Sequence, residues 1–161
     1  MEVRPATRED IAGVQRVGRA AWHAAHEPIV GAEAVDEFLE EYYERERLRG
    51  RVTGDVDLFY VAVDEAVVGF AAARPVDESP GVYGLGNCYV HPDRWGEGVG
   101  SRLLDRTERA VRSDGGNRIR LAVMADNERA IGFYESGGYE RVAEGYDERL
   151  DVRRCFYAKD L

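Results

Sequence analysis

The sequence predicts an α/β (α+β) fold, a mixed sheet with helices on its faces, built as one domain over residues 1–161. Two observations carry this. Apolar spacing alternates between the period of helices and that of strands, in the order β-α-α-β-β-β-α-β-α-β-β. Turn residues mark several of the switches, the acidic pair Asp64-Glu65 and the glycine pairs Gly115-Gly116 and Gly137-Gly138, with no linker, repeat or low-complexity stretch in the chain. A chain of 161 residues is long enough to bury a core without staples.

"MEVRPA" is a short first strand. Thr7 opens "TRED", a hydroxyl cap with an acid three residues on, and Ile11, Val14 and Val17 follow at helical spacing towards "AAWHAAHE". A second helix is predicted from about Ala32 to Arg49, carrying Val35, Phe38, Leu39 and Tyr42. "DLFYVAVDEAVVGFAAARP" is an antiparallel hairpin broken at Asp64-Glu65, and "GVYGLGNCYV" is a further strand. "SRLLDRTERAVRSDGG" is an amphipathic helix with Leu103, Leu104 and Val111 inward, stopped by Gly115-Gly116. "NRIRLAVM" alternates as a strand with Ile119, Leu121 and Val123 on one face. "NERAIGFYESGG" is a short helix closed by Gly137-Gly138, and "YERVAEGY" and "DVRRCFYA" are the last strands.

The charge balance is −9, from 31 acidic and 22 basic residues, which argues against nucleic acid and anionic membranes as partners. Lys159 is the only lysine and the remaining basic residues are arginines. An acid-rich, nearly lysine-free surface suits strongly saline cytoplasm, where screening removes most self-repulsion, and predicts a halophilic source; an arginine-biased codon supply explains it as well. No apolar run reaches bilayer length and no signal pattern opens the chain, so the expected location is cytoplasmic. Cys88 and Cys155 form no metal-ligand pattern and are expected as buried free thiols.

In "VHPDRWGEGVGSRLL" three glycines, Gly96, Gly98 and Gly100, stand where a strand gives way to a helix. Glycine opens backbone conformations closed to other residues and lets a ligand approach the main chain. At a helix start the free amides and the positive dipole end form an anion site, so the loop to Ser101 is shaped for a phosphate or pyrophosphate. A tight turn without a ligand is the alternative. A P-loop would need Gly-Lys-Ser/Thr, and no lysine is near. The G-x-G-x-G spacing also departs from the dinucleotide-binding turn.

A second constellation follows "LAVMAD". In "NERAIGFYESGGY", Asn127 stands where its amide can cap the helix or meet an amide-rich ligand. Phe133 is expected to pack in the core, leaving Tyr134 to face a cleft.

With these residues the chain resembles the GCN5-related N-acetyltransferase (GNAT) superfamily, from "VRPATREDIAGVQRV" through the last two strands. "LGNCYVHPDRWGEGVGSRLL" is similar to the family's acyl-CoA-binding motif, and "LAVMADNERAIGFYESGGYERV" to its N-x-x-A-x-x-F-Y-E-x-x-G-[FY] stretch. The resemblance implies a mixed, mostly antiparallel central sheet with helices on both faces, and acetyl-CoA as cosubstrate with no metal. It implies that the backbone of Cys88, Tyr89 and Val90 pairs with the pantetheine arm, and that the amides of Trp95, Gly96, Glu97, Gly98, Val99, Gly100 and Ser101 hold the pyrophosphate. Asn127 then contacts the cofactor and Tyr134 stands beside the sulfur. Two positions depart from the family pattern. Trp95 replaces the usual Arg or Gln before the first loop glycine, with Arg94 adjacent as a substitute. Gly84 occupies the place of the glutamate that serves many members as general base.

The implied chemistry is attack of an amine on the acetyl thioester, with Tyr134 as general acid to the leaving thiolate and an amide near Val90 for the oxyanion. Candidate bases are His23, His26, Glu27 and Asn87 with an ordered water; Trp22, His23, His26 and Glu27 are also candidate lining of an acceptor cleft, or else plain helix surface. His91 is expected to be structural. The acceptor is a small-molecule or peptide amine; acidic loops such as "DERLD" would attract a cationic one, and salt adaptation explains those loops equally well. A homodimer through an edge strand is an expectation from the family. The alternatives are a non-catalytic acyl-CoA-binding or regulatory module of the same fold, and an unrelated nucleotide-binding protein.

Overall fold

The computed structural model describes residues 1–161. Seven strands form one sheet: β1 (Glu2–Pro5), β2 (Leu58–Asp64), β3 (Ala66–Pro75), β4 (Val82–Val90), β5 (Arg118–Met124), β6 (Glu140–Asp147) and β7 (Val152–Asp160), in the spatial order β1-β2-β3-β4-β5-β7-β6. Every neighbouring pair is antiparallel except β4 with β5.

Five α-helices cover the two faces: α1 (Ile11–Val30), α2 (Ala32–Tyr42), α3 (Arg45–Thr53), α4 (Val99–Ser113) and α5 (Glu128–Ser136). The central strands are apolar on both sides because both sides are covered. Phe59, Val61, Phe70 and Ala72 turn towards Ile11, Val14, Val17, Val35, Leu39 and Leu48 of the first three helices. Tyr60, Ala62 and Ala71 turn the other way, onto Val99, Leu103 and Ala110 of α4. Each fully buried Val, Leu, Ile or Phe among them contributes about 1.5–3 kcal/mol.

The helix predicted from Ala32 to Arg49 is two helices, α2 and α3, and the reason lies at Tyr43 and Glu44. Tyr43 is buried, and its ring fills the space beside Gly18, where a Cβ would come within 2.5 Å of it. Glu44 is extended (φ −64°, ψ 142°) and its carboxylate accepts hydrogen bonds from the amides of Glu46 and Arg47, starting α3 afresh. In contrast α1 passes through Pro28 and stops only at Gly31, whose φ is +89°.

One feature of the sheet positions the site. β4 and β5 pair over three residues only, Val82 with Arg118, Tyr83 with Ile119 and Gly84 with Arg120. Beyond Gly84 the strands part. A bulge in the β3–β4 ladder, where Ala72 faces Asn87 and Ala73 faces Leu85, leaves Gly86 as the extra residue where they begin to diverge. The result is a wedge-shaped opening in the middle of the sheet.

A wedge and an amide cradle

A cavity of about 670 Å³ fills the wedge, bordered by Cys88, Tyr89 and Val90 on one side and Ala122, Val123 and Met124 on the other. The glycine loop closes one end. Gly98 is left-handed (φ +83°) and caps α4 without a side chain, and Gly96 is also at positive φ (+82°). The first helical bond of α4 runs from the amide of Arg102 to the carbonyl of Gly98. The six preceding amides, from Gly96 to Ser101, donate to no protein group. Nothing lies within 4 Å of where a Cβ would stand at Gly96 or Gly98. Unpaired amides at a helix start, around open space, form an anion cradle.

The Trp95 amide, expected among the cradle donors, instead donates to the carbonyl of Pro92 at 3.2 Å, and Arg94, the expected substitute for a side-chain phosphate contact, is engaged elsewhere. The Trp95 indole donates to the carbonyl of Val90 at 2.8 Å, tying the loop back to β4 and occupying one carbonyl of the edge expected to meet pantetheine. Arg94 is bound to Glu97 at 2.9 Å and Asp64 at 2.7 Å, so Glu97 offers the cradle an amide while its carboxylate is engaged elsewhere. A cation does face the cradle, one that sequence spacing did not single out. Arg129 at the start of α5 lies over the Trp95 ring, 4.4 Å from its centroid, and lines the cavity. Its only trace in the sequence is its position two residues after Asn127.

Asn127 caps α5, its side-chain carbonyl accepting from the amide of Ala130 at 3.2 Å, and it borders the cavity. Phe133, expected in the core, is half-buried and lies against the loop, 3.2 Å from where a Cβ on Gly100 would be. Tyr134 is 9% exposed and lines the cavity with Cys88; its hydroxyl makes no hydrogen bond to the protein. Burial, with Cys88 and Tyr89 nearby, holds the Tyr134 phenol well above 10, so it is protonated at any working pH. Burial likewise pushes the Cys88 thiol up to about 12, which removes it as a nucleophile. Both cysteines are free thiols.

The four candidate acceptor-side residues divide. Trp22 and His26 line the cavity on the α1 side, with ring centroids 4.1 Å apart. His23 and Glu27 do not reach it. His23 is hydrogen-bonded to Asp36 at 2.9 Å and stands 3.7 Å from Glu27, fastening α1 to α2. Helical geometry is the cause, since 22 and 26 share one face while 23 and 27 share the next. Both ring nitrogens of His26 and the indole nitrogen of Trp22 are buried without partners, and burial lowers the His26 pKa to about 4. His26 is therefore neutral at pH 7. Asn87 donates to the Tyr43 hydroxyl at 3.0 Å and accepts from Arg51 at 2.8 Å, so its polar ends are occupied. His91 caps the turn before the loop, accepting from the amide of Asp93. Gly84 sits where the sheet begins to open, with Val76 Cγ2 alone within 4 Å of where a Cβ would point.

A second cavity of about 720 Å³ meets the first, and Gly86 and Ala122 border both. No group of three His, Cys, Asp or Glu side chains is arranged to hold a metal ion, and no helix is long and apolar enough to cross a membrane.

Comparison with known proteins places this geometry. The model of the acetyltransferase (GNAT) family matches residues 19–139. A curated acetyltransferase of Pectobacterium atrosepticum is 37% identical over 93 residues, which are 57% of this chain and 64% of that protein, so the match spans less than two thirds of the relative's length. Among solved structures, a PaiA N-acetyltransferase from Thermoplasma acidophilum in complex with coenzyme A superposes with a TM-score of 0.88 at 21% identity, covering 99% of this chain and 98% of that one. The ribosomal-protein-S18-alanine N-acetyltransferase from Escherichia coli gives 0.73 at 18% identity, covering 99% and 92%. Those two likenesses establish the fold.

Proposed function

The chain belongs to the acetyltransferase (GNAT) family, and on that premise we propose that it is an acetyl-CoA-dependent N-acetyltransferase acting on a primary amine. One observation carries the proposal: six consecutive unpaired amides, Gly96 to Ser101, stand at the mouth of a wedge whose wall is the unpaired edge of β4. That edge suits an extended arm carrying amides, and the cradle suits the pyrophosphate to which such an arm is joined. Arg129 over Trp95 adds a cation to the same end. In this assignment Cys88, Tyr89 and Val90 border the pantetheine arm and Asn127 the region near the thioester.

Acetyl-CoA supplies the activated acetyl group. The amine nitrogen bonds to the acetyl carbon, the carbon–sulfur bond breaks, and the sulfur leaves with the electron pair. Tyr134 acts as general acid by donating a hydrogen bond to that sulfur as charge develops on it, coenzyme A leaves as the thiolate, and the proton shed by nitrogen passes to solvent. A phenol held well above 10 is a reluctant acid towards a thiolate of reference pKa about 8.5, so the donated hydrogen bond contributes more than complete transfer does. No carboxylate stands at Gly84 and His26 at about 4 is a weak base, so neither position supplies the base, and an amine that arrives neutral needs none.

A second reading, a non-catalytic acyl-CoA-binding module, is favoured by Gly84 alone. Titration calorimetry with acetyl-CoA, with ATP and NAD as controls, followed by a thiol-release assay over an amine panel, separates the two. Selective binding with amine-dependent release supports the enzyme. Binding without release from any amine supports the module, and no binding to folded protein removes both. The acidic, nearly lysine-free composition is read as adaptation to saline solution, and β6, an edge strand exposing Val142 and Tyr146, is the natural edge for a homodimer.

A further inference from the structure

Resting on the acetyltransferase reading above, we infer that the second cavity is the acceptor site, and that it selects amines carrying a carboxylate or phosphate group. The cavity adjoins the wedge at Gly86 and Ala122, and Gly86 has nothing within 4 Å of where a side chain would begin. That window gives an amine in the second cavity a route to the edge of β4. A volume of about 720 Å³ is within the roughly 300–1,000 Å³ that hold small ligands.

The lining sets the charge. Three arginines line the space, Arg51 on α3, Arg74 on β3 and Arg120 on β5, and no lining residue is acidic. Arg51 and Arg74 are both anchored on the buried carboxylate of Asp57, at 2.7 and 2.5 Å. Two cations on one carboxylate retain a net positive charge. Arg120 is exposed and engages no carboxylate. In a chain of net charge −9, this wall is a positive island beside the wedge. Guanidinium forks match carboxylate and phosphate oxygens in pairs. Val142 and Phe156 supply an apolar wall for the rest of the molecule.

The same field bears on the missing base. Neighbouring cations disfavour a protonated amine, so the arginines that hold the acid group also favour the neutral, nucleophilic form of the nitrogen. A polyamine would meet repulsion here at every added charge. The charge of the lining thus points away from the cationic acceptor that the acidic loops of the sequence suggested.

The test is calorimetric binding of four acetylated product probes to the protein saturated with coenzyme A: N-acetyl-leucine, N-acetyl-phosphoethanolamine, N-butylacetamide and N-acetylspermidine. One or both anionic probes should bind at least tenfold tighter than the neutral one, with N-acetylspermidine weakest. Their ranking separates carboxylate from phosphate. Arg120→Gln and Arg74→Gln should each remove most of that margin, and Arg120→Lys should retain part of it, with melting temperatures checking the fold. Equal or tighter binding of the neutral or cationic probe, no binding of either anionic probe, or an anion preference that survives both glutamine variants would overturn the inference. If coenzyme A binds and the anion preference is absent, only this inference falls. If coenzyme A itself does not bind, the acetyltransferase reading falls first.

Discussion

The indole nitrogen of Trp95 donates to the carbonyl of Val90, across the corner where β4 becomes the glycine loop. The bond clamps the cradle to the strand edge, while the outer face of the same ring carries Arg129. Trp95→Phe keeps a ring for Arg129 and removes the clamp, worth about 1 kcal/mol for a single hydrogen bond. Calorimetry should show coenzyme A binding weakened by about fivefold with little change in melting temperature, and unchanged affinity would deny the clamp its role.

Gly98 tests the cradle in another way. Its φ of +83° is strained for any side chain, though open space surrounds it. Gly98→Ala should cost about 1–2 kcal/mol through the backbone alone and turn the α4 amides away from their present direction. Coenzyme A affinity should fall by tenfold or more, beside that loss of stability in urea melts. A loss of stability with coenzyme A affinity unchanged would indicate a merely structural glycine.

Tyr134→Phe removes one unbonded hydroxyl from a buried ring and leaves the packing of α5 intact. General acids contribute about 10²–10⁴-fold, so turnover should fall by at least a hundredfold while coenzyme A affinity stays within about twofold. A variant that turns over normally would take Tyr134 out of the mechanism.

His26 makes stability depend on pH. Its folded pKa, lowered to about 4 by burial, lies below an unfolded value of about 6.5, so the unfolded chain binds the proton more tightly. The contribution is present in full above pH 6.5 and is lost as pH falls towards 4, up to about 3 kcal/mol. Urea melts between pH 7.5 and 4.5 should lose stability along this limb in the parent, and His26→Phe should flatten it. A parallel decline in both proteins would assign the limb to other groups.

Salt should act on the charge of the whole chain. With 31 acidic residues against 22 basic ones, the melting temperature should rise from 0.1 M to molar KCl as self-repulsion is screened. A flat or falling curve would remove the saline reading of the composition.

The sequence discloses what is local. Apolar periods mark the strands and most helices, and the alternating glycines mark the run of unpaired amides at the start of α4, because both are fixed by residues close in the chain. The division of α2 from α3 was hidden, since it turns on Tyr43 filling the gap beside Gly18 and meeting Asn87, 44 residues away. Adjacency in sequence groups His23 and Glu27 with Trp22 and His26 and conceals which helical face each occupies. Arg51, Arg74 and Arg120 carry no common motif, as three different elements bring them to one wall. The parting of β4 from β5 was equally silent, because strand pairing is a decision between distant residues.

That parting has a mechanical side. The backbone ladder that joins β1–β4 to β5–β7 is a seam of three residue pairs. The helices must carry the remaining load across the gap, so the free molecule should yield along this line before any other. A ligand laid in the wedge would act as a suture, and its effect would be read as slowed amide exchange on both lips of the seam.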